Sequence, residues 1–330
     1  MVRSNKALYI SVMAKTDTLG ASAARLAGID IVRFFAFVGV VFIHCAEISV
    51  FGDWAADFGK FAVPFFFVAA GFFLPTAKPA LSIIWKSGKR LAIPFLFWMT
   101  LFIVIFQDWP SGLAGFIKLF IAGGPAYHLW FLPSLALCIA ATVFLRYLSW
   151  PVAFAISLAC YVIGLAIGSY GDLQGPVQGV WNPRNGILFG LIFVVLGGWI
   201  RASGARLSLG WALLAFVGFS AAHMLEISLP FHRDNVYGDF YILTVPVGVS
   251  AFFVALALKP SPLVTRIFAP LGAFSLGLYG VHLIFVRLLV EAFSPAGFLP
   301  WLGVVTAVVL LSIAVVWPLS RIKYLRSVVS

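Results

Sequence analysis

An arginine and a histidine stand 11 residues apart in the run DIVRFFAFVGVVFIHC, residues 30–45, which is otherwise almost wholly apolar. On an α-helix, at about 100° per residue, eleven steps make three turns plus about 20°, so Arg33 and His44 share one face. At about 1.5 Å per residue they lie ~16 Å apart along the axis, one toward each end of a membrane crossing. Asp30 precedes Arg33 by one turn and Glu47 follows His44 by one turn. A single stripe therefore reads carboxylate, guanidinium, imidazole, carboxylate. Ionisable groups inside apolar segments are costly, face protein or water, and are functional by default. Glu47 could hold the imidazole tautomer of His44, as a carboxylate does in hydrolase triads, or lie solvated at the membrane surface. Taken singly, Arg33 could snorkel to the interface and His44 could bond a backbone carbonyl. A shared face with a carboxylate beside each weakens those separate explanations.

The other histidines divide by position. His282 lies in GLYGVHLIF, with Ser275 and Tyr279 on the same face seven and three residues earlier. Its membrane depth is within about a turn of that of His44. It is either a second polar wall or a packed helix–helix hydrogen bond. His128 stands beside Trp130; the pair could touch a substrate, although an interfacial aromatic belt is the default for Trp130. His223 and His232 fall at an outer loop, where solvation is the default. The loop 169–186 carries Asp172, Gln174, Gln178, Trp181 and Asn182, a mixture that suits sugar binding and also describes many loops. Cys45, Cys138 and Cys160 show no metal spacing and read as small buried hydrophobes. HExxH, CxxC, GxxxxGK[ST] and GxGxxG are absent, so no metal is expected, and nucleotide hydrolysis and hydride transfer find no support.

The elements that must position these groups follow from composition. The chain has 330 residues, of which 62% are hydrophobic and 10% charged, against about 25% charged in soluble domains. Mean hydropathy is +1.07. Apolar stretches long enough to cross a ~30 Å hydrocarbon layer recur along the chain. They predict an all-α integral membrane protein of about ten transmembrane helices, at 29–49, 58–76, 90–108, 127–147, 150–168, 186–201, 208–226, 241–258, 271–291 and 299–318. Residues 1–28 are expected as a cytoplasmic segment without a cleavable signal, 29–318 as the membrane domain, and 319–330 as a basic cytoplasmic tail. The breaks carry turn chemistry, as in FGDWAADFG (51–59) and KPSP (259–262). No repeat of 20–50 residues stands out.

Charge sets the orientation. Segments on one side hold 16 of the 22 Lys and Arg, while nine of the 11 acidic residues fall toward the other. The positive-inside rule then places both termini in the cytoplasm. The net charge of +11 is accounted for by topology, without nucleic acid.

Five ordered segments resemble the membrane acyltransferase-3 family. DIVRFFAFVGVVFIHC matches its first-span signature of an Arg, ten residues and a His. VPFFFVAAGFFL (63–74), KSGKRLAIPF (86–95), YHLWFLPSL (127–135) and FSLGLYGVHLIF (274–285) resemble its second-span, basic, Trp-Phe-Leu and Ser-x-x-x-Tyr-x-x-His segments. The matches run from about residue 26 to 290. Two positions depart: Phe34 replaces a small residue, and Ala70 replaces the Ser of Ser-Gly-Phe. The chain resembles the stand-alone form, without a fused esterase-like domain.

The resemblance implies an O-acyltransferase of the bacterial inner membrane. It would carry an acyl group, acetyl by default and succinyl as the other choice, from cytoplasmic acyl-CoA to a hydroxyl of a cell-envelope or exported glycan, or a lipid-linked sugar, at the outer face. No permanently bound cofactor is implied; acyl-CoA is a co-substrate, and membrane lipids are the other partners. The donor phosphates would lie near Arg33, with Asp30 beside it, and near Lys86, Lys89 and Arg90, since basic side chains suit phosphate. The positive-inside rule alone would also produce that cluster. The thioester would lie near His44, acting as general base on the acceptor hydroxyl; a transient acyl-histidine is the less favoured variant. His128, Trp130, Ser275, Tyr279 and His282 would support substrate. The rival is a multi-span transporter or exporter whose Arg33–His44 stripe carries protons or anions.

Overall fold

The computed structural model describes residues 27–171, 182–229 and 240–330. The expected features at Asp172, Gln174, Gln178, Trp181 and His232, and most of segment 1–28, lie outside the described residues. Among the described residues the chain forms helices and no strand. Eight segments are long and apolar enough to cross a membrane. The chain is an all-α, multi-pass integral membrane protein.

The first helix, α1 (Ala27–His44), is the axis of the bundle. A short 3-10 turn, Ala46–Ile48, leads into α2 (Val50–Gly59) and α3 (Ala62–Phe72). Then come α4 (Ala80–Phe106), α5 (Gly112–Ala122), a 3-10 turn at Tyr127–Trp130, α6 (Phe131–Leu145) and α7 (Trp150–Ile167). The rest comprises α8 (Ile187–Ser203), α9 (Leu209–Ile227), α10 (Thr244–Ala257), α11 (Pro262–Ala273), α12 (Ser275–Phe293), α13 (Phe298–Leu319) and α14 (Arg326–Val329). Helix α1 packs against α2, α3, α10, α11, α12 and α13. Its apolar core residues Phe37, Val40 and Val41 are 0–2% exposed, which explains how a helix carrying Asp30 and Arg33 can sit inside the bundle.

Small residues allow the closest crossings, as expected where helices pack within lipid. On α3 and α8, Gly71 meets the Val194 carbonyl and Gly197 meets the Val68 carbonyl with no space for a Cβ. Gly272 of α11 lies likewise on the backbone of Asp30. That contact seats the Asp30–Arg33 end of α1.

Several expected boundaries shift, each for a local reason. FGDWAADFG reads as a break but forms α2, because Ser49 caps it by accepting the Gly52 N–H at 3.0 Å and Asp53 favours the first turn. The expected span 90–108 is the distal part of α4, which begins at Ala80. Its 27 residues span about 40 Å, more than the hydrocarbon layer, so Lys86, Lys89 and Arg90 ride on a helix and not a loop. The expected spans at 186–201 and 241–258 correspond to α8 and α10, of 17 and 14 residues, shorter than a full crossing. Within segment 319–330, expected as a basic cytoplasmic tail, α14 packs on α4 and α12 and buries Val328 and Val329.

Candidate active site

Two sites lie along α1. At the Arg33 end is a cavity of about 1510 Å³ between α3, α4, α6 and α12. Eight cations line it: Arg33, Lys78, Lys86, Lys89, Arg90, Arg201, Arg206 and Arg326. No Asp or Glu is among the lining residues. Arg33 pairs with buried Asp30 at 2.9 Å and lies over the Phe73 ring, 5.3 Å from its centroid. Arg201 donates to the Phe72 carbonyl at 3.3 Å. Among the described residues Lys78, Lys86, Lys89, Arg90 and Arg326 have no acidic partner. Like charges gathered in one concavity raise its potential and favour an anionic ligand. Ser275 and Tyr279, at the start of α12, also line the cavity.

At the other end of α1, three histidines converge from three elements. His44 ends α1, His128 lies in the turn before α6, and His282 is on α12. The His44 and His282 ring centroids are 5.1 Å apart, His128 and His282 5.2 Å, and His44 and His128 6.3 Å. Phe37 packs edge-on against His282 at 6.1 Å. Among the described residues these imidazoles do not make a metal-ligand set.

Carbonyl partners assign two of the tautomers, because a carbonyl oxygen only accepts. His282 Nδ1–H donates to the Tyr279 carbonyl at 2.6 Å. Its Nε2 therefore carries a lone pair, buried and without a partner among the described residues. His128 Nε2–H donates to the Gly280 carbonyl at 3.3 Å, which leaves the buried Nδ1 lone pair likewise unpartnered. His44 Nδ1 is 3.2 Å from the Tyr127 hydroxyl. The cluster thus offers acceptors where most buried polar atoms are already satisfied.

Tyr279 joins the two sites. Its hydroxyl donates to the His128 carbonyl, and its ring centroid lies 5.4 Å from that of His128 and 5.7 Å from that of His282. The same residue is among those lining the basic cavity.

Not every expected residue joins these sites. Glu47 is exposed in the 3-10 turn; α1 ends at His44, so the helical face shared by the two residues stops short, and Tyr127 occupies His44 Nδ1 instead. Trp130 is no interfacial belt residue: it is 8% exposed, packs on Phe189 with centroids 6.1 Å apart, and lies beneath the guanidinium of Arg184 at 5.1 Å. His223 is buried, not solvated, and bonds Thr244 Oγ1 at 2.9 Å. Sequence reasoning missed Tyr127, which adjoins His128 in YHLW and had that one signal. It also missed Arg201, Arg206 and Arg326 as a ring, because residues far apart in the chain converge only on folding.

The sequence profile of the acyltransferase-3 family, an acyltransferase domain, matches residues 26–321, nearly the whole chain. The chain belongs to this family. The chain is also 29% identical over 290 residues to a serine/alanine racemase of Enterococcus gallinarum, an alignment covering 77% of this chain and 40% of that protein. Two amino-acid racemases of Enterococcus faecalis match at 30% and 28% identity, over 66% and 70% of this chain and 34% and 37% of theirs. The chain thus spans two fifths or less of the curated relatives it matches. No solved structure matches it.

Proposed function

We propose that this chain transfers an acyl group, acetyl by default and succinyl as the other choice, from cytoplasmic acyl-CoA to a hydroxyl of a cell-envelope or exported glycan. The basic cavity faces the cytoplasm, with both termini on that side. The histidine cluster faces the outer side of the bacterial inner membrane. The observation that carries this reading is the cavity of eight cations, whose wall at Tyr279 packs on His128 and His282. Polyanionic phosphates suit the cations, and the pantetheine arm would run past Tyr279 toward His44.

In the reaction, His44 Nδ1–H donates to Tyr127, and the Nε2 lone pair takes the proton of the acceptor hydroxyl. The oxygen attacks the thioester carbonyl and the new C–O bond forms. The tetrahedral intermediate collapses, the C–S bond breaks, and the CoA thiolate takes the proton from the imidazolium. His282 Nε2 and His128 Nδ1 accept hydrogen bonds from acceptor or donor groups and hold them at His44. Racemisation, the activity in the relatives' names, is not carried to a chain that covers two fifths of them.

The test is to supply membranes containing the protein with radiolabelled acetyl-CoA and envelope glycans. Label should move to glycan in the wild type and be lost in His44→Ala and Arg33→Ala. Unchanged transfer in both variants would sink the assignment. Solute uptake into proteoliposomes without any use of acyl-CoA would favour the transporter instead.

A further inference from the structure

The positive-inside rule asks a tail only for charge, yet the end of the described chain is anchored. Val328 and Val329 are 4% and 0% exposed. The indole N–H of Trp98, a residue 1% exposed, donates to the Val328 carbonyl at 3.1 Å. Val329 rests on Gly277, where an added Cβ would lie 2.7 Å from the valine Cβ. One turn along α12, Gly280 lies against the Trp98 ring with no room for a Cβ, and its carbonyl holds His128. Around this anchor, Arg326, Ser327 and Ser330 line the basic cavity. Arg326 is exposed there and has no acidic partner among the described residues.

We infer that residues 326–330 are part of the donor site. Arg326 supplies a cation to the donor phosphates. Val328 and Val329 fix the turn of α12 that carries Tyr279 and His282. The assignment rests on the acyl-CoA reading above. It adds a segment that no charge-counting argument would place in a binding site: Arg326, Ser327 and Ser330 line the cavity, while Val328 and Val329, through Trp98 and Gly277, back the turn of α12 behind the histidine cluster. Arg326 thus binds, and the two valines position.

The full chain in lipid nanodiscs, titrated with coenzyme A in a calorimeter, tests this. Arg326→Ala should weaken binding about five-fold, the loss of one exposed charge-assisted contact, and Arg326→Lys should restore most of it. In turnover, Arg326→Ala should raise the KM for acyl-CoA with kcat and the acceptor KM kept, a split that general loosening would not produce. Val329→Cys should react with maleimide far more slowly than Tyr324→Cys, read by peptide mass. Wild-type coenzyme A affinity in Arg326→Ala, or equal labelling at positions 329 and 324, would overturn the assignment. A wild-type chain that binds no coenzyme A would instead bring down the acyl-CoA reading itself, and this assignment with it.

Discussion

Two polar networks in this protein contain buried histidine, and they are built to opposite ends. The first gathers at the start of α10. His223 bonds Thr244 Oγ1 at 2.9 Å, and that oxygen accepts the Tyr241 N–H at 2.8 Å. The Glu226 carboxylate accepts the N–H groups of Ile242 and Leu243 at 2.9 and 3.0 Å, along with the Tyr170 hydroxyl. Burial and that carboxylate push the Tyr170 hydroxyl well above its ordinary range, so it stays a donor. Tyr161 and Ser169 close on the Tyr241 and Phe240 carbonyls at 2.6 and 2.5 Å. Donors that a helix start leaves open are thereby satisfied. The second network is the His44–His128–His282 cluster, where two ring nitrogens close on carbonyls and two lone pairs do not. His223, His128 and His282 are buried alike. What separates a network that holds a helix from one that can hold a substrate is whether its acceptors are already used.

That contrast can be broken by substitution. His44→Ala should lower kcat about 10²–10⁴-fold, the usual worth of a general base, with the thermal unfolding of the detergent-solubilised protein unchanged. Glu226→Ala should act the other way round. It removes the acceptor of two backbone N–H groups and a half-buried phenol, so unfolding should be destabilised by about 1–3 kcal/mol, with kcat per folded molecule within about two-fold of wild type. His223→Ala should cost about 1–2 kcal/mol of stability and leave acyl transfer alone; a large kcat loss at full stability would erase the distinction between the networks. Tyr127→Phe sharpens the comparison most finely. It deletes one hydrogen bond to His44 and should lower kcat about five-fold, with unfolding destabilised by no more than about 1 kcal/mol.

The apolar runs were legible as membrane helices because each is long and nearly free of charge. Boundaries were less legible. Ser49 capping outweighed the Gly and Asp turn signals of 51–59, and α4 continued through Lys86, Lys89 and Arg90 because a helix longer than the bilayer keeps its charges in water. Trp130 and His223 carry no mark of burial: hydropathy does not tell a lipid-facing position from a protein-facing one. The stripe on α1 was readable as far as His44, where the helix ends, and Glu47 was misplaced by extending it.

By itself the sequence determined that this chain is a helical membrane protein of the acyltransferase-3 family, and that Arg33 and His44 share a face. Those properties depend on composition, helical period and ordered motifs, all local to the chain. Only the tertiary structure decided that Tyr127, 83 residues away, takes the place expected of Glu47. It also decided that cations from four helices and two connecting segments surround one cavity, and that three histidines meet with two lone pairs unused. Such contacts are set by how helices cross, through positions such as Gly71, Gly197 and Gly272 where backbones touch, and that packing has no signature within any one segment.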